Sequence, residues 1–378
     1  MPIPLVREVS IENYKSIRKL TLELGQVNVL IGANGSGKSN LLEAIALGSA
    51  GARNKLDNEY LVPRGIRVVE PHFMRSAFPG GEAGGAIMVS FQVQGRPHLV
   101  VNVDPERRTV GAPGVAGLPL QSEALLESLL DQAKRQFAGP VFEGDEFREY
   151  LRARLATTLP PDFLIYAPEN SALRVFQAEP QILPLGIKGE GLFAHLKALS
   201  APDRADRLAA IGDRLALLDW FERFEIPRDL APGERSLLIR DRYLAEGALF
   251  DQRSANEGFL FLLFYLTLFI SDATPPFFAI DNVDASLNPK LVTTLVEQLV
   301  ELAKKHDKQV IFTTHNPAVL DGIDLGDDEQ RLFVTERGKD GATRVRRAKP
   351  PKPLDGDPPV LLSEAFVRGY LGGLPKNF

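Results

Sequence analysis

Gly32-Ala33-Asn34-Gly35-Ser36-Gly37-Lys38-Ser39 fits the spacing G-x-x-x-x-G-K-(S/T), and the chemistry of that spacing is phosphate binding. Glycines let the backbone curl so that successive N–H groups point at an anion, a lysine reaches the outer phosphates, and a hydroxyl ligates Mg²⁺. Lys38 and Ser39 take the last two roles, and Asn34, Gly35, Ser36, Gly37 and Asn40 become candidate nucleotide contacts. The flanks suit the task. Val27-Asn28-Val29-Leu30-Ile31 predicts a buried strand and Asn40 to Leu47 a helix, whose positive end adds to the anion site. A glycine-rich turn without function would not need this strand–loop–helix setting.

A phosphate loop needs a carboxylate for the metal's water shell. Phe277-Phe278-Ala279-Ile280-Asp281 supplies one, as an apolar strand with Asp at its carboxyl end, where ligands of α/β sheets bind. Ser39 and Asp281 are therefore the predicted Mg²⁺ residues. Lys290 to Lys305 predicts a helix, and Val310-Ile311-Phe312-Thr313-Thr314-His315 a further strand tipped by histidine. A lone histidine is usually structural, but at the tip of the strand after the Asp strand it can donate a hydrogen bond to a terminal phosphate.

These residues need a sizeable α/β scaffold, and 378 residues with 44% hydrophobic and 25% charged side chains provide one. A net charge of −5 carries no global sign of a nucleic-acid binder. The chain has no cysteine, which excludes disulfides and thiolate metal sites and fits a cytoplasmic setting. The first residues lack a secretory pattern. The longest apolar run, Phe259 to Ile270, is too short for a bilayer, which needs about twenty residues, so it predicts a helix buried in the fold and no membrane partner.

The remaining pattern is coarser. Ile11 to Leu24 predicts two strands around a turn, and Ala86–Val93 with His98–Val103 a hairpin. Residues 51–85 look irregular, and the Gly/Pro stretch 111–118 predicts a break. Helices are predicted near Ser122–Phe137, Asp145–Thr158 and across 189–222, with a returning strand at 163–166. From Asn256 onward, helix and strand alternate as in a parallel sheet. The basic stretch 338–358 predicts a hairpin and then extended chain, more plausibly a solvated surface than a phosphate-backbone contact.

The order of these features resembles the ABC-class ATPase heads of the SMC/RecF superfamily: phosphate loop, long insertion, Asn256-Glu257-Gly258 before a buried helix, Asp281, Ser286-Leu287-Asn288-Pro289, His315. More narrowly the chain is similar to compact bacterial AAA-type ATPases grouped with the overcoming-lysogenization-defect (OLD) family and Septu-type antiphage systems. The opening Asn13-Tyr14-Lys15-Ser16 matches that group's N-(F/Y)-(K/R)-S start. The resemblance implies an α/β fold, an ABC-type P-loop head with a mixed sheet and a helical insertion subdomain. Its parts would be 1–110 (P-loop and antiparallel β part), 111–250 (mainly helical insertion) and 251–378 (signature, metal Asp, switch His and basic tail). It implies ATP and Mg²⁺ as ligands and a homodimer or higher oligomer. Lys15 would reach the nucleotide, and Asn256, Glu257 and Gly258 would touch the terminal phosphate bound by the other subunit. Ser286 to Pro289 would cross the interface, and His315 would be the switch histidine. The metal-sensing glutamine stays open among Gln92, Gln94 and Gln177.

Against the family pattern, Asn282 stands where a catalytic Glu follows the metal Asp, and an amide cannot act as a general base. Asn282 can still orient water, as the glutamine of small GTPases does, and Asp284 is a second candidate. The signature serine is also replaced, by Asn256. The sixty-odd residues after His315 are too few for a fused TOPRIM nuclease. The expected function is a slowly hydrolysing, ATP-sandwiched dimer that gates a separately encoded effector, a nuclease or toxin, in antiphage defence. The alternative is a RecF-like, DNA-stimulated ATPase of repair, with Arg204–Arg214 as its candidate basic surface. A transporter ATPase subunit fits the degenerate signature and the N-terminal motif less well. A small-molecule kinase leaves Asp281 and the His-tipped strand unexplained.

Overall fold

Fifteen strands and the helices between them can be followed in a computed structural model that describes residues 4–78, 85–115, 118–119, 159–177, 182–227, 229–231, 233–350 and 361–373. β1 (Val6–Tyr14), β2 (Ile17–Glu23), β4 (Ile87–Val93), β5 (Leu99–Asp104), β6 (Thr109–Val115) and β7 (Leu118–Pro119) form an antiparallel sheet in the order β2-β1-β4-β5-β6-β7. Its strands alternate buried and exposed positions, as one-sided burial demands. β9 (Phe221–Glu225), β10 (Leu238–Asp241) and β11 (Phe250–Asp251) make a small sheet of order β11-β10-β9.

The sheet that carries the site combines β3 (Val27–Ile31), β8 (Phe163–Tyr166), β12 (Phe277–Ile280), β13 (Gln309–Thr314), β14 (Gln330–Arg337) and β15 (Thr343–Ala348) in the order β15-β14-β3-β13-β12-β8. All pairs but β14–β15 are parallel, so the sheet is mixed. β3, β8, β12 and β13 are buried at every position, which is why they read as continuous apolar runs. Leu30, Phe163, Ile165, Phe277, Ala279 and Ile311 face the core shared with the helix Lys38–Ala52 and the antiparallel sheet. Val29, Leu164, Phe278, Val310 and Phe312 face the opposite core, filled by the helices Glu257–Ile270 and Pro289–Lys305. Twelve consecutive residues of the first of these helices, Phe259 to Ile270, are buried, so it is the internal helix its sequence predicts. Among the described residues no helix is long and apolar enough to cross a membrane.

Some expectations need correction. The stretch 111–118 does not break the chain, because β6 runs to Val115 and pairs with β5. The expected boundaries at 110 and 250 fall inside β6 and β11, so neither marks a linker. In the segment 111–250 the described residues hold the helices Asn170–Val175, Leu192–Leu199 and Ala205–Leu215 and the strand predicted at 163–166, which is β8 of the inner sheet, but also β9 and β10, which are not expected from the sequence. The helices predicted at Ser122–Phe137 and Asp145–Thr158 lie outside the described residues, as does 351–358 of the basic tail. The rest of that tail is the β14–β15 hairpin. Arg344 and Arg347 are paired there with Asp340 (3.6 Å) and Asp328 (2.8 Å).

Candidate nucleotide site

The parallel pairing of β3, β13 and β12 brings three loops to one edge: 32–37, His315–Asn316 and Asp281–Asn282. They surround a cleft of about 390 Å³ lined by Asn34 to Asn40, Arg67, Asp281, Asn282, His315 and Arg337. Ten of the predicted site residues, Asn34 among them, sit next to one another there although they are up to 281 positions apart in the chain. Gly35 takes φ +74° at the rim with open space beside its Cα, a conformation that suits glycine.

Lys38 is only 6% exposed and its ammonium folds back on the loop, donating to Gly32 O (2.7 Å) and Ala33 O (3.2 Å). Burial pulls its pKa down to about 8 against the opposing pull of Asp281 and Asp284. A phosphate would replace two neutral carbonyl acceptors by charged ones, which is a stronger pairing. His315 Nδ1 lies 3.4 Å from Lys38 Nζ. Accepting from an ammonium leaves the ring proton on Nε2, and burial followed by the Lys38 charge lowers the ring's pKa, so the neutral donor form is favoured.

Ser39 Oγ stands 3.4 Å from Asp281 Oδ2, and Thr313 Oγ donates to Asp281 Oδ1. The pair is a hydroxyl and a carboxylate, hard oxygen donors that suit Mg²⁺ completed by phosphate and water. Bound there, the ion would neutralise charge on the phosphates. Among the described residues no group of three or more His, Asp or Glu side chains converges to hold a metal ion. Asn282 lines the cleft with φ +56°, its N–H held by Thr313 Oγ (2.9 Å). Among the described residues lining the cleft, Asp281 is the only carboxylate. Asp284, the second candidate, does not line the cleft, and its Oδ1 accepts from Thr314 Oγ (2.6 Å).

Lys15 does not reach the cleft. Its Nζ binds Glu43 Oε2 (2.5 Å), on a carboxylate 2% exposed that also takes Arg67 Nε (2.5 Å) and Tyr14 OH (3.2 Å). A buried carboxylate attracts the nearest cations, and of the two that Glu43 holds, Arg67 lines the cleft while Lys15 does not. Asn256 caps the helix Glu257–Ile270, accepting from Phe259 N (2.8 Å), and Glu257 accepts from Asn170 Nδ2 (2.6 Å). Neither they nor Gly258 line the cleft of their own chain. Gln92 on β4 donates to Arg96 O, Gln94 in the turn after β4 accepts from Arg7, and none of these nor Gln177 lines the cleft.

Sequence reasoning missed Arg67, Arg337 and Thr313, which come to the site from a loop, the end of β14 and β13. It also missed Glu169, just after β8. This residue lines an adjoining cavity of about 420 Å³ with Ser39, Arg67 and Asp281, and is paired to Lys188 at 2.9 Å. The only available signal was the return to strand character at 163–166, which places the following residues at the same edge.

Comparisons agree with this geometry. Residues 176–321 match a family model described as "AAA domain, putative AbiEii toxin, Type IV TA system", and residues 5–62 match one described as "AAA ATPase domain". An uncharacterized protein of Methanocaldococcus jannaschii, MJECL10, is 46% identical over 44 residues, which span 11% of this chain and only 20% of that relative. Among solved structures, an SMC head bound to the C-winged helix domain of ScpA is similar at TM-score 0.56 and 16% identity, covering 92% of this chain and 98% of that one. The SMC head derived from Pyrococcus furiosus, bound to the C-terminal domain of ScpA, is similar at TM-score 0.51 and 14% identity, covering 92% and 97%. Two AAA-type models thus fall on the two segments that meet at the cleft, and the fold is similar to that of SMC heads.

Proposed function

We propose that the chain is an ATPase that works as a nucleotide-gated switch: two copies bury ATP·Mg²⁺ between them, hydrolyse it slowly, and by closing or opening control a separately encoded effector in antiphage defence. The observation that carries the reading is the pairing of a well-formed phosphate cleft with Asn282 at the position facing it. The cleft can bind and polarise a triphosphate, but the amide cannot take a proton from water, and general-base help is worth about 10²- to 10⁴-fold in rate. The helix N-terminus at Asn256-Glu257-Gly258 lies outside its own cleft, which supports its use on a partner's phosphate. The toxin–antitoxin wording of the matching family model and the partner-bound state of the similar SMC heads support an effector partner and a defence setting. The cysteine-free chain supports a cytoplasmic one.

The DNA-stimulated alternative loses its main candidate surface. Arg207 pairs with Asp272 (2.7 Å), Arg214 with Glu301 (2.5 Å) and Arg204 with Asp203 (3.4 Å), so Arg204–Arg214 is not a free basic face.

The test is light scattering of the full chain with and without ATP·Mg²⁺, beside Lys38→Ala. The expected result is a doubling of mass with ATP that persists for many minutes and is absent in the variant. Unchanged mass overturns the switch. Rapid turnover that rises severalfold on adding duplex DNA selects the alternative.

A further inference from the structure

Three side chains and one carbonyl form a hydrogen-bond chain with a single possible direction. Asn40 Nδ2 donates to Ser16 Oγ (2.7 Å), Ser16 Oγ lies 2.7 Å from Thr343 Oγ1, and Thr343 Oγ1 donates to Ser36 O (3.1 Å). Because Thr343 spends its hydrogen on the carbonyl, the Ser16 hydroxyl must donate to Thr343. A backbone bond, Thr343 N–H to Ser16 O (2.7 Å), locks the same contact. Ser16 and Thr343 are 6% and 3% exposed, so water does not compete. The chain joins the β1–β2 turn, the hairpin formed by β14 and β15, the phosphate loop and the helix after it.

The phosphate loop works by pointing N–H groups inward, which obliges its carbonyls to point out and find donors. In a trans peptide the C=O and N–H lie on opposite sides. Holding Ser36 O outward therefore turns the Gly37 N–H toward the cleft that Gly37 lines. Gly37 has φ +109°, and a Cβ there would stand 2.1 Å from Thr343 Oγ1, so only glycine lets the threonine come this close.

We propose that Thr343 is a positioning residue for the phosphate loop: through Ser16 and Ser36 it fixes the 36–37 peptide in the anion-binding orientation, and the β14–β15 hairpin thereby sets nucleotide affinity. The proposal rests on the nucleotide reading of the cleft. Without the hydroxyl the 36–37 peptide is free to turn its carbonyl elsewhere, and nucleotide must first select the competent orientation.

The test is titration of full-length protein with a fluorescent ADP analogue and with ATP·Mg²⁺, with thermal melting alongside. Thr343→Val keeps the shape and removes the hydroxyl. Leaving a buried acceptor unpaired corresponds to about 5- to 50-fold weaker binding. Thr343→Ser restores the hydroxyl and is expected within about twofold of wild type, a rescue that hydrogen-bond restoration predicts. Ser16→Ala, which removes the donor to Thr343 together with the acceptor of Asn40 but leaves the Thr343 hydroxyl on Ser36 O, is expected to fall between them and serves if Thr343→Val does not fold. Valine binding as tightly as wild type, serine as weak as valine, or Ser16→Ala without effect where it is the variant left to decide, each overturns the proposal. Failure of the wild type itself to bind nucleotide, with Lys38→Ala no different, would instead overturn the nucleotide reading.

Discussion

One hydroxyl of Thr313 serves two neighbouring residues of the cleft: it donates to the Asp281 carboxylate and accepts the Asn282 N–H at 2.9 Å. The last-but-one residue of β13 thus orients both the predicted metal carboxylate and Asn282 beside it in the cleft. Thr313→Val keeps the volume and breaks both bonds. Outer-shell partners of this kind are worth about 10- to 100-fold in metal affinity. Nucleotide binding by the variant is expected to need that much more Mg²⁺, measured by titrating the metal at fixed ATP. An unchanged metal requirement would mean that Asp281 is held by something else.

Asn282→Glu is expected to speed hydrolysis in a single-turnover assay by about 10²-fold or more, because the carboxylate can accept the proton that the amide cannot. The variant should also lose about 1 kcal/mol of stability, since φ +56° is tolerated by Asn better than by Glu. A wild type that already turns over several times per second would contradict the slow switch.

Lys15 and Glu43 separate structure from ligand binding. Glu43→Ala strands Lys15 and Tyr14 beside a buried vacancy and is expected to cost about 3–5 kcal/mol in chemical unfolding. Lys15→Met should lower stability but leave ATP affinity within about twofold, the tolerance allowed for loss of a group that does not touch ligand. A selective loss of affinity without loss of stability would restore Lys15 to the nucleotide.

His195 gives a pH signature. It is buried with Nε2 2.8 Å from Ser271 Oγ, where the helices Leu192–Leu199 and Glu257–Ile270 meet, and burial followed by the charge of Arg204 lowers its pKa to about 4. The unfolded chain takes up this proton near pH 6.5 and the folded chain only near pH 4. Stability from neutral His195 is therefore present above pH 6.5 and is lost as pH falls through that window, by about 2–3 kcal/mol. Urea unfolding between pH 7 and pH 4 should show a steeper loss for wild type than for His195→Gln, and parallel curves would remove His195 as the cause.

What the sequence by itself determined is local. The glycine spacing of 32–39, the apolar runs of β3, β12 and β13, and the Asp and His at two of their ends are decided within a few neighbours, and their order dictates a parallel sheet with its ligands at one edge. Only the tertiary structure decided which polar groups face the cleft. Lys15 carries the right charge in the right motif, but the buried Glu43 takes it, and Arg67 lines the cleft instead. Thr343 lies 306 positions beyond Gly37, yet the β14–β15 hairpin sets its hydroxyl against the phosphate loop. Such pairings depend on competition among charges and hydroxyls brought together by strand register, and no local pattern of residues encodes that competition.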